Sequence, residues 1–595
     1  MKFLTRLRRD VAGNTLAIVA ASLVPMVAMI GSGVDMSRAY MVESRLQQAC
    51  DAGVLAGRKK MADGSWSTAA ETVANDYFEV NYASDYLGSE NLSFTATNPS
   101  GTTSVRGVAT VDVPTVIMGF FTIDDFDVEV TCEAKFDIAN SDITFVLDTT
   151  GSMACPSDAN DSECSSYYYT YRNYSNKEGH SYGGLSTTSR MSALKSAMNG
   201  FYTTLKSAAS TSGARIRYSF VPYTGTVNVG RLLPASYIAD SAAYQSRKYE
   251  LVRTEPAQTV RHYESRYSGY TWDCDRYSGT WHGTRIYGRY DSGYGGCVWE
   301  DYHPAEDIYD TRYKQVTHPT NVYKTFAWTP DPTGSGLGNT KWDGCIIERD
   351  TVASDSITYN SGSKSFSPSG LYDLDIDSAP TSNATKWRPY WPEVSFYRSY
   401  NTTETGSGSS PQVSCPYQAK LLAEYASLND FKAYNTNLVP DGGTYHDIGL
   451  LWAARLSSED GIFASNVTAA PTNSGYVSRH IIFMTDGQLD PGDSYYNAYG
   501  IERHDGRITG MSTSTDGNAI VTAQRTRLTN RYKQLCKAIK AKGIRLWVVA
   551  FNTALTTDMT TCASPNSSYT ADNSASLNTA FQQIAEQVAD LRLTD

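Results

Sequence analysis

The chain has 595 residues, which is too long for one ordinary hydrophobic core and predicts roughly two to four structural units. Its formal net charge of -11, together with 41% hydrophobic residues, argues against a chain that is disordered by composition and against a nucleic-acid partner. None of the ten cysteines forms a Cys-x-x-Cys pair and only eight histidines accompany them, so zinc sites are disfavoured.

The first predicted element is an apolar segment that ends at Val34. Leu16 to Val34 reads LAIVAASLVPMVAMIGSGV without a charge, and at about 1.5 Å per residue a helix of this length crosses the ~30 Å hydrocarbon core of a bilayer. The basic residues before it are Lys2, Arg6, Arg8 and Arg9. The positive-inside rule then predicts a cytoplasmic N-terminus, with the remaining chain outside the cytoplasm. A cleaved signal peptide is the alternative, but the run is longer than a usual signal-peptide core, which favours an uncleaved anchor.

After the anchor, helix-forming residues lead into two stretches that read as strands. Residues 92–97 and 127–136 alternate apolar and polar side chains, as strands with one buried face do. An even number of dispersed cysteines beyond an export segment is typical of disulfides in an oxidising compartment, although the pairing stays open. Joining neighbours in order predicts the pairs Cys155–Cys164, Cys274–Cys297, Cys345–Cys415 and Cys536–Cys562, with Cys50–Cys132 left over.

Oxygen-bearing side chains follow a short apolar strand near residue 145. Ile143 to Leu147 is β-branched and apolar, as a buried parallel strand is, and Asp148, Thr150 and Ser152 come directly after it. Ligands of an open α/β sheet bind at the carboxyl ends of its strands, and alternating positions aim their side chains into one crevice. Hard oxygens of this kind are the ligands that Mg²⁺ prefers.

Two further pieces of the same kind occur later in the chain. Gly442-Gly443-Thr444 opens a predicted helix, and a second buried strand over residues 481–485 ends in Asp486. Any single piece is better explained by polar residues that cap a helix after a strand. Together, the three pieces place oxygen-bearing side chains at the ends of two predicted strands and at the start of one helix.

The rest of the chain supplies further elements of an α/β sheet. Two helical stripes are formed by Met191, Leu194, Met198, Phe201 and Leu205, and by Leu577, Phe581, Ile584, Val588 and Leu591. Residues 215–221 and 544–551 read as strands. Insertions are predicted at about 153–189, 226–415 and 488–530, each following a sheet strand. If those strands are parallel, the insertions surround the metal-bearing edge, either as recognition loops or as a disulfide-tied subdomain.

The residues after the first strand resemble a known metal-binding motif. Asp148-Thr149-Thr150-Gly151-Ser152 is similar to the D-x-S-x-S metal-ion-dependent adhesion site, or MIDAS, of von Willebrand factor A domains. The resemblance implies a doubly wound, mostly parallel α/β sheet with large insertions. The three pieces occur in the order of that family, so the resemblance also implies one metal site. In it, Thr150, Ser152 and Thr444 supply hydroxyl oxygens to Mg²⁺ or Ca²⁺, and Asp148 and Asp486 supply carboxylates. One coordination position is left for an acidic side chain of a protein partner. We expect Asp148→Ala to abolish partner binding. We also expect it to leave the fold intact, because the apolar face of the strand and the flanking helices still bury the core and loss of one surface-edge carboxylate costs little burial.

The N-terminal residues resemble a second family. The basic start, Gly13-Asn14, the apolar span, Val34-Asp35 and the Ala-rich helix over residues 1–60 are similar to TadG-like proteins of Tad/Flp pilus-assembly systems. The resemblance implies a single-pass protein of the bacterial inner membrane, with its C-terminal bulk periplasmic or exposed at the cell surface. The implied domains are a cytoplasmic basic segment (1–13), a transmembrane helix (14–34), a pilin-like α+β TadE/TadG-like region (35–138) and the A-type domain (139–595).

Pilus assembly or surface adhesion is the leading function, with other pilus-assembly components as candidate partners. An envelope scaffold or adhesion protein with an A-type domain unrelated to pili is the alternative. An enzyme is not predicted, because the one G-x-S-x-G match, at residues 179–183, lacks the flanking strand and helix that its chemistry needs. Asp373-Leu-Asp-Ile-Asp377 starts like a calcium loop but has Ser378 at the turn position, which excludes an EF-hand and leaves another calcium site open.

Overall fold

Helices and strands both contribute to a mixed α/β structure. The structure is a computed structural model, and it describes residues 11–61, 66–99, 104–135, 140–159, 164, 185–212, 214–264, 274–282, 284–334, 338–398, 404–405, 408–473, 475–511, 516–589 and 592–594. The helices it describes are α1 Val11–Met61, α2 Thr68–Asn81, α3 Arg190–Ser212, α4 Leu428–Asn435, α5 His446–Ser457, α6 Ala464–Val467, α7 Glu502–Asp505, α8 Gly517–Ala541, α9 Thr557–Cys562 and α10 Ser574–Val588.

The strands fall into an earlier and a later group. Up to residue 319 they are β1 Glu90–Thr97, β2 Val105–Pro114, β3 Asp125–Lys135, β4 Asn140–Asp148, β5 Ile216–Tyr223, β6 Ser241–Glu255, β7 Gln258–Glu264, β8 Ser278–Trp281, β9 Thr284–Tyr287, β10 Arg289–Asp291, β11 Gly296–His303 and β12 Glu306–Pro319. After it they are β13 Thr329–Pro330, β14 Asn339–Thr340, β15 Ile346–Ile347, β16 Thr358–Asn360, β17 Ser365–Ser367, β18 Arg388–Pro389, β19 Tyr397–Arg398, β20 Gly408–Ser409, β21 Lys420–Ala423, β22 Val477–Thr485, β23 Tyr496–Asn497, β24 Gly500–Ile501, β25 Arg545–Phe551, β26 Ser568–Ala571 and β27 Arg592–Thr594.

The N-terminal helix α1 starts as an apolar rod and ends as one wall of a small α+β unit. From Ile18 onward it is long and apolar enough to cross a membrane, by length and composition. Beyond the apolar run, β1, β2, β3 and β27 form an antiparallel sheet. Alternate residues of β2 are buried, so one face of this sheet packs against α1. A Cβ at Gly107 of β2 would stand 2.7 Å from the Val54 Cγ1 atom of α1, so the close approach of sheet and helix requires glycine.

The central sheet has the strand order β21-β5-β4-β22-β25-β26. All neighbouring strands in it are parallel except β21, which pairs antiparallel with β5 at the edge. β4 and β5 are buried along their whole length, as the strands of a parallel sheet covered on both faces are. The α/β class and the apolar N-terminal helix expected from the sequence are confirmed.

Helices cover both faces of the central sheet. On one face, Phe145 packs among the predicted stripes of α3 and α10, including Phe201 and Phe581. On the other face, Val146 and Phe483 belong to a core shared with α5 and α8. The α10 stripe is buried from Leu577 to Val588, while Leu591 lies outside the described residues.

The middle insertion contains exposed hairpins and, after them, residues that are buried in the core. Trp342 and Trp387 belong to the same buried cluster as α5. The buried Glu348 carboxylate accepts hydrogen bonds from the Nε1 atoms of Trp387, at 3.1 Å, and Trp452 of α5, at 2.6 Å. β6 pairs with β12 in a long hairpin, and β7 pairs with β11. This part of the chain therefore helps to form the core as well as surface loops.

The third insertion differs from the expected one. Residues 517–530 were expected to belong to it, but they form the first half of α8, where Ile520, Gln524 and Leu528 are buried. These three positions have helical spacing, but the polar and charged residues between them hide that periodicity in the sequence. Most of the first insertion, including residues 179–183, and most of the predicted basic segment 1–13 lie outside the described residues.

Disulfides join the ten cysteines in the five predicted pairs. Cys50–Cys132 ties α1 to β3, and Cys536–Cys562 ties α8 to α9. Cys345–Cys415 closes the middle insertion over a separation of 70 residues. Disulfide bonding, expected from the even cysteine count, is confirmed.

Candidate metal site at the sheet edge

The predicted site lies where two neighbouring parallel strands end. Asp148 is the last residue of β4, and Asp486 follows the last residue of β22. Leu147 pairs with Met484 in the parallel register, so the two chain segments leave the sheet side by side. Thr150 caps the short 3-10 turn Gly151–Ala154, which carries Ser152.

Four of the five predicted ligands form one chain of hydrogen bonds. The Ser152 hydroxyl donates to Asp486 Oδ1 at 2.8 Å, across 334 residues of sequence. The hydroxyls of Thr150 and Ser152 lie 3.1 Å apart, and the Thr150 backbone N–H donates to Asp148 Oδ1 at 2.9 Å. The structure therefore brings Asp148, Thr150, Ser152 and Asp486 to one place.

The fifth predicted ligand, Thr444, lies on a loop that is bonded to the first one. The Gly151 N–H donates to the Gly442 carbonyl at 3.0 Å, and the Asp441 N–H donates to the Thr149 carbonyl at 2.8 Å. Gly442 has φ +78°, and a Cβ there would stand 2.1 Å from the Ser414 hydroxyl, so the loop needs glycine for two reasons. Thr444 itself is buried beside this junction.

Three side chains that the sequence did not point to fix the two carboxylates. Asp148 Oδ2 accepts hydrogen bonds from the Thr485 hydroxyl at 2.7 Å and from the Tyr223 hydroxyl at 3.1 Å. Arg190, the first residue of α3, donates to Asp486 Oδ2 at 3.1 Å, and both side chains are buried. In the sequence, Arg190 is marked only as a charged residue directly before the apolar stripe of α3.

The buried charges are unbalanced at this edge. Burial raises the pKa of Asp486 to about 7, and the nearby charge of Asp148 adds to the shift, while Arg190 and the Ser152 hydroxyl oppose it. Two carboxylates and one guanidinium leave one net negative charge when all are ionised. A divalent cation would reverse that sign and relieve the repulsion between the carboxylates.

The donor set fits an oxygen-ligated divalent cation. Two carboxylates and three hydroxyls are hard oxygens of the type that Mg²⁺ and Ca²⁺ take. Cation binding would replace the Ser152–Asp486 hydrogen bond, while the bonds from Thr485 and Tyr223 could continue to hold Asp148. Within the described ranges, no group of three or more His, Cys, Asp or Glu residues is placed to hold a metal. A cation at this edge would therefore depend on the hydroxyls as well as on the two carboxylates.

The possible calcium loop at residues 373–377 has other partners. Asp373 forms a buried ion pair with Arg531, and Asp377 bonds to Lys542 at 2.6 Å. Asp375 Oδ1 accepts the backbone N–H groups of Asp377 and Ser378. Protein cations and backbone donors engage all three carboxylates, so these residues are structural.

Comparison with known proteins supports the N-terminal resemblance. Residues 13–71 match the family model Tad, "Putative Flp pilus-assembly TadE/G-like". The match covers the apolar helix and the start of the α+β unit. No curated protein matches the chain.

Two solved structures share a weak likeness with the chain. The pilus adhesin SpaC from Lactobacillus rhamnosus GG has 9% identity and a TM-score of 0.28, over 84% of this chain and 34% of that one. Proximal thread matrix protein 1 from the mussel byssus has 14% identity and a TM-score of 0.17, over 31% of this chain and 35% of that one. The chain thus spans about a third of the length of each.

Proposed function

We propose that this protein is a membrane-anchored component of a Tad/Flp pilus-assembly or surface-adhesion system, and that it binds a protein partner through a divalent cation at the sheet edge. The family match over residues 13–71 and the apolar helix support a membrane-anchored pilus component. The hydrogen bond between Ser152 and Asp486 carries the rest of the proposal, because it joins two strand ends into one oxygen cluster.

We assign the central sheet to the von Willebrand A type. Supporting this are the parallel strands, the helices on both faces and an oxygen cluster at the carboxyl edge. Asp148, Thr150, Ser152, Thr444 and Asp486 would hold Mg²⁺ or Ca²⁺, which supplies positive charge for an acidic side chain of the partner. Binding is proposed in preference to catalysis, since the groups that converge here are those that ligate a cation.

The neighbouring residues have defined roles in this proposal. Thr485 and Tyr223 orient Asp148 from the strand side, and Arg190 orients Asp486 from α3. The insertions after β5 and β22 leave from the carboxyl edge of parallel strands, which is the edge that carries the site. They would form the rest of the partner-binding surface, to which exposed tyrosines such as Tyr249 add contact area.

Cation-dependent binding is tested with Asp148→Asn, which removes the charge of the side chain and keeps its shape. Isothermal titration of the full-length protein in nanodiscs with Mg²⁺ and then Ca²⁺ should show one site per chain. Asp148→Asn should abolish it, and the exposed Asp310→Ala should not. Partner capture should disappear in EDTA and return with the cation. Unchanged titration by Asp148→Asn would refute the metal site, and capture that persists in EDTA would refute metal-mediated binding.

The pilus role is tested separately from the metal site. A Tad/Flp component predicts neighbouring genes for a pilin, a prepilin peptidase and a secretion ATPase, and loss of piliation on deletion. Cation binding without those neighbours would favour the envelope-scaffold alternative with the same A-type domain.

A further inference from the structure

The loop between β2 and β3 packs against the end of the apolar helix. A Cβ at Gly31 of α1 would stand 2.2 Å from the Ile117 Cγ2 atom of this loop, so the two are in direct contact. At about 1.5 Å per residue, Gly31 lies about 4.5 Å before Val34, where the predicted membrane span ends. The loop therefore reaches the depth at which the hydrocarbon core ends.

The position of the loop is fixed by two charged side chains of α1. The buried carboxylate of Asp35 accepts hydrogen bonds from the backbone N–H groups of Val116, Ile117 and Met118 at 2.8 to 3.0 Å. Arg38 Nη1 donates to the Pro114 carbonyl at 2.9 Å. Burial alone would raise the pKa of Asp35, but these N–H groups bring it below its usual value. The loop is thus hydrogen-bonded to the helix through both side chains.

The outer surface of the loop is apolar. Residues 115–123 read TVIMGFFTI and carry no charge. Val116 is 61% exposed, Phe120 89% and Ile123 39%. The apolar surface of α1 beside it is exposed as well, including Ile30 and Val34. The exposed apolar surface of the loop therefore continues that of the membrane span.

The loop backbone is prepared for an environment without water. Unsatisfied N–H groups are costly in lipid, and Asp35 satisfies three of them. Within the loop, Phe120, Thr122 and Ile123 donate to the carbonyls of Ile117, Gly119 and Met118. Surface loops in water do not need this saturation, because water supplies the missing partners.

We propose that residues 115–123 form a second membrane-contacting element, which inserts Val116, Phe120 and Ile123 among the lipids beside the span. The occupant of this surface is lipid, because the surface is apolar and continuous with α1. The contact holds the α+β unit in one orientation on the bilayer, so the domain that follows starts from a defined position. The inference rests on α1 spanning the membrane and is independent of the cation site.

Site-specific photocrosslinking tests the proposal. p-Benzoylphenylalanine replaces Phe120, Ile30 as the span control or Tyr249 as the distant control, the last being 67% exposed on β6. The full-length variants are placed in vesicles of phosphatidylethanolamine and phosphatidylglycerol, irradiated and examined for lipid adducts by mass spectrometry. We expect adducts at position 120 to exceed those at 249 by about tenfold or more, because burial of a phenyl side chain in lipid is favourable.

Each outcome decides the proposal. Adducts at position 30 without an excess at 120 over 249 would overturn it, as would crosslinking of position 120 to a second copy of the chain in place of lipid. Absence of adducts at position 30 would refute the membrane span and the loop contact together, while cation titration would still report on the sheet edge.

Discussion

Substitution of Asp148 separates the role of its charge from the role of its hydrogen bonds. The side chain is fully buried and accepts from the Thr150 N–H and from the hydroxyls of Thr485 and Tyr223. The expectation that Asp148→Ala leaves the fold intact rests on a carboxylate at the surface edge, whereas the structure buries this side chain. The alanine would leave the Thr150 N–H and the Tyr223 hydroxyl without an acceptor, whereas the Thr485 hydroxyl still reaches the Gly487 carbonyl at 3.1 Å. At about 1–3 kcal/mol for each unsatisfied donor, we expect a loss of at least about 2 kcal/mol in the free energy of unfolding.

Asp148→Asn should behave differently. Asparagine keeps the acceptor for the Thr150 N–H, and the hydroxyls of Thr485 and Tyr223 can rotate to accept from its amide group. We expect it to cost less than about 1.5 kcal/mol in EDTA. With the cation at 100 times its dissociation constant, the wild type should gain about 2.7 kcal/mol and both variants nothing.

Denaturant unfolding in EDTA and in Mg²⁺, followed by tryptophan fluorescence, measures the free energy of unfolding of the wild type and of both variants. Equal stability of the Asn and Ala variants in EDTA would refute the role of the Thr150 and Tyr223 donors. A Mg²⁺-dependent gain in the Asn variant equal to that of the wild type would refute the role of the Asp148 charge.

Three further predictions concern the interior. Arg190→Met should lower stability in EDTA and enlarge the rise in melting temperature on adding Mg²⁺, because the buried Asp486 then has only the metal as a counter-cation; an unchanged rise would contradict this. Burial raises the pKa of Asp447 to about 7, so the free energy of unfolding that this residue contributes is complete below about pH 4 and is lost as pH rises through 7. The loss is at most about 4 kcal/mol. Asp447→Asn should reduce it in unfolding curves from pH 4 to 8. Replacing Cys536 and Cys562 by serine should cost about 3 kcal/mol by calorimetry, and an unchanged melting temperature would contradict the role of this bridge.

Local patterns were sufficient for the apolar helix, for several strands and helices of the central sheet and for the choice of candidate ligands. A charge-free run of helical length predicts the apolar N-terminal helix, and helical spacing predicts the buried faces of α3 and α10. Asp148 and Asp486 were found because each follows a buried strand, and parallel strands place such residues at one edge. Each of these signals lies within a window of a few residues to about 20 residues, in which periodicity and composition are visible.

The tertiary structure alone decided which side chains meet. Arg190 reaches Asp486 across 296 residues, and Arg455 of α5 pairs with Glu348 of the middle insertion across 107. No local pattern marks these pairs, since a buried arginine in a helix has the same neighbours in sequence whichever carboxylate it meets. The Ile117–Gly31 contact was likewise invisible, because the packing of a loop against a helix depends on the twist and register of the sheet that carries the loop. Sequence periodicity specifies which face of an element is buried, whereas the partner on that face is specified only when the whole chain has packed.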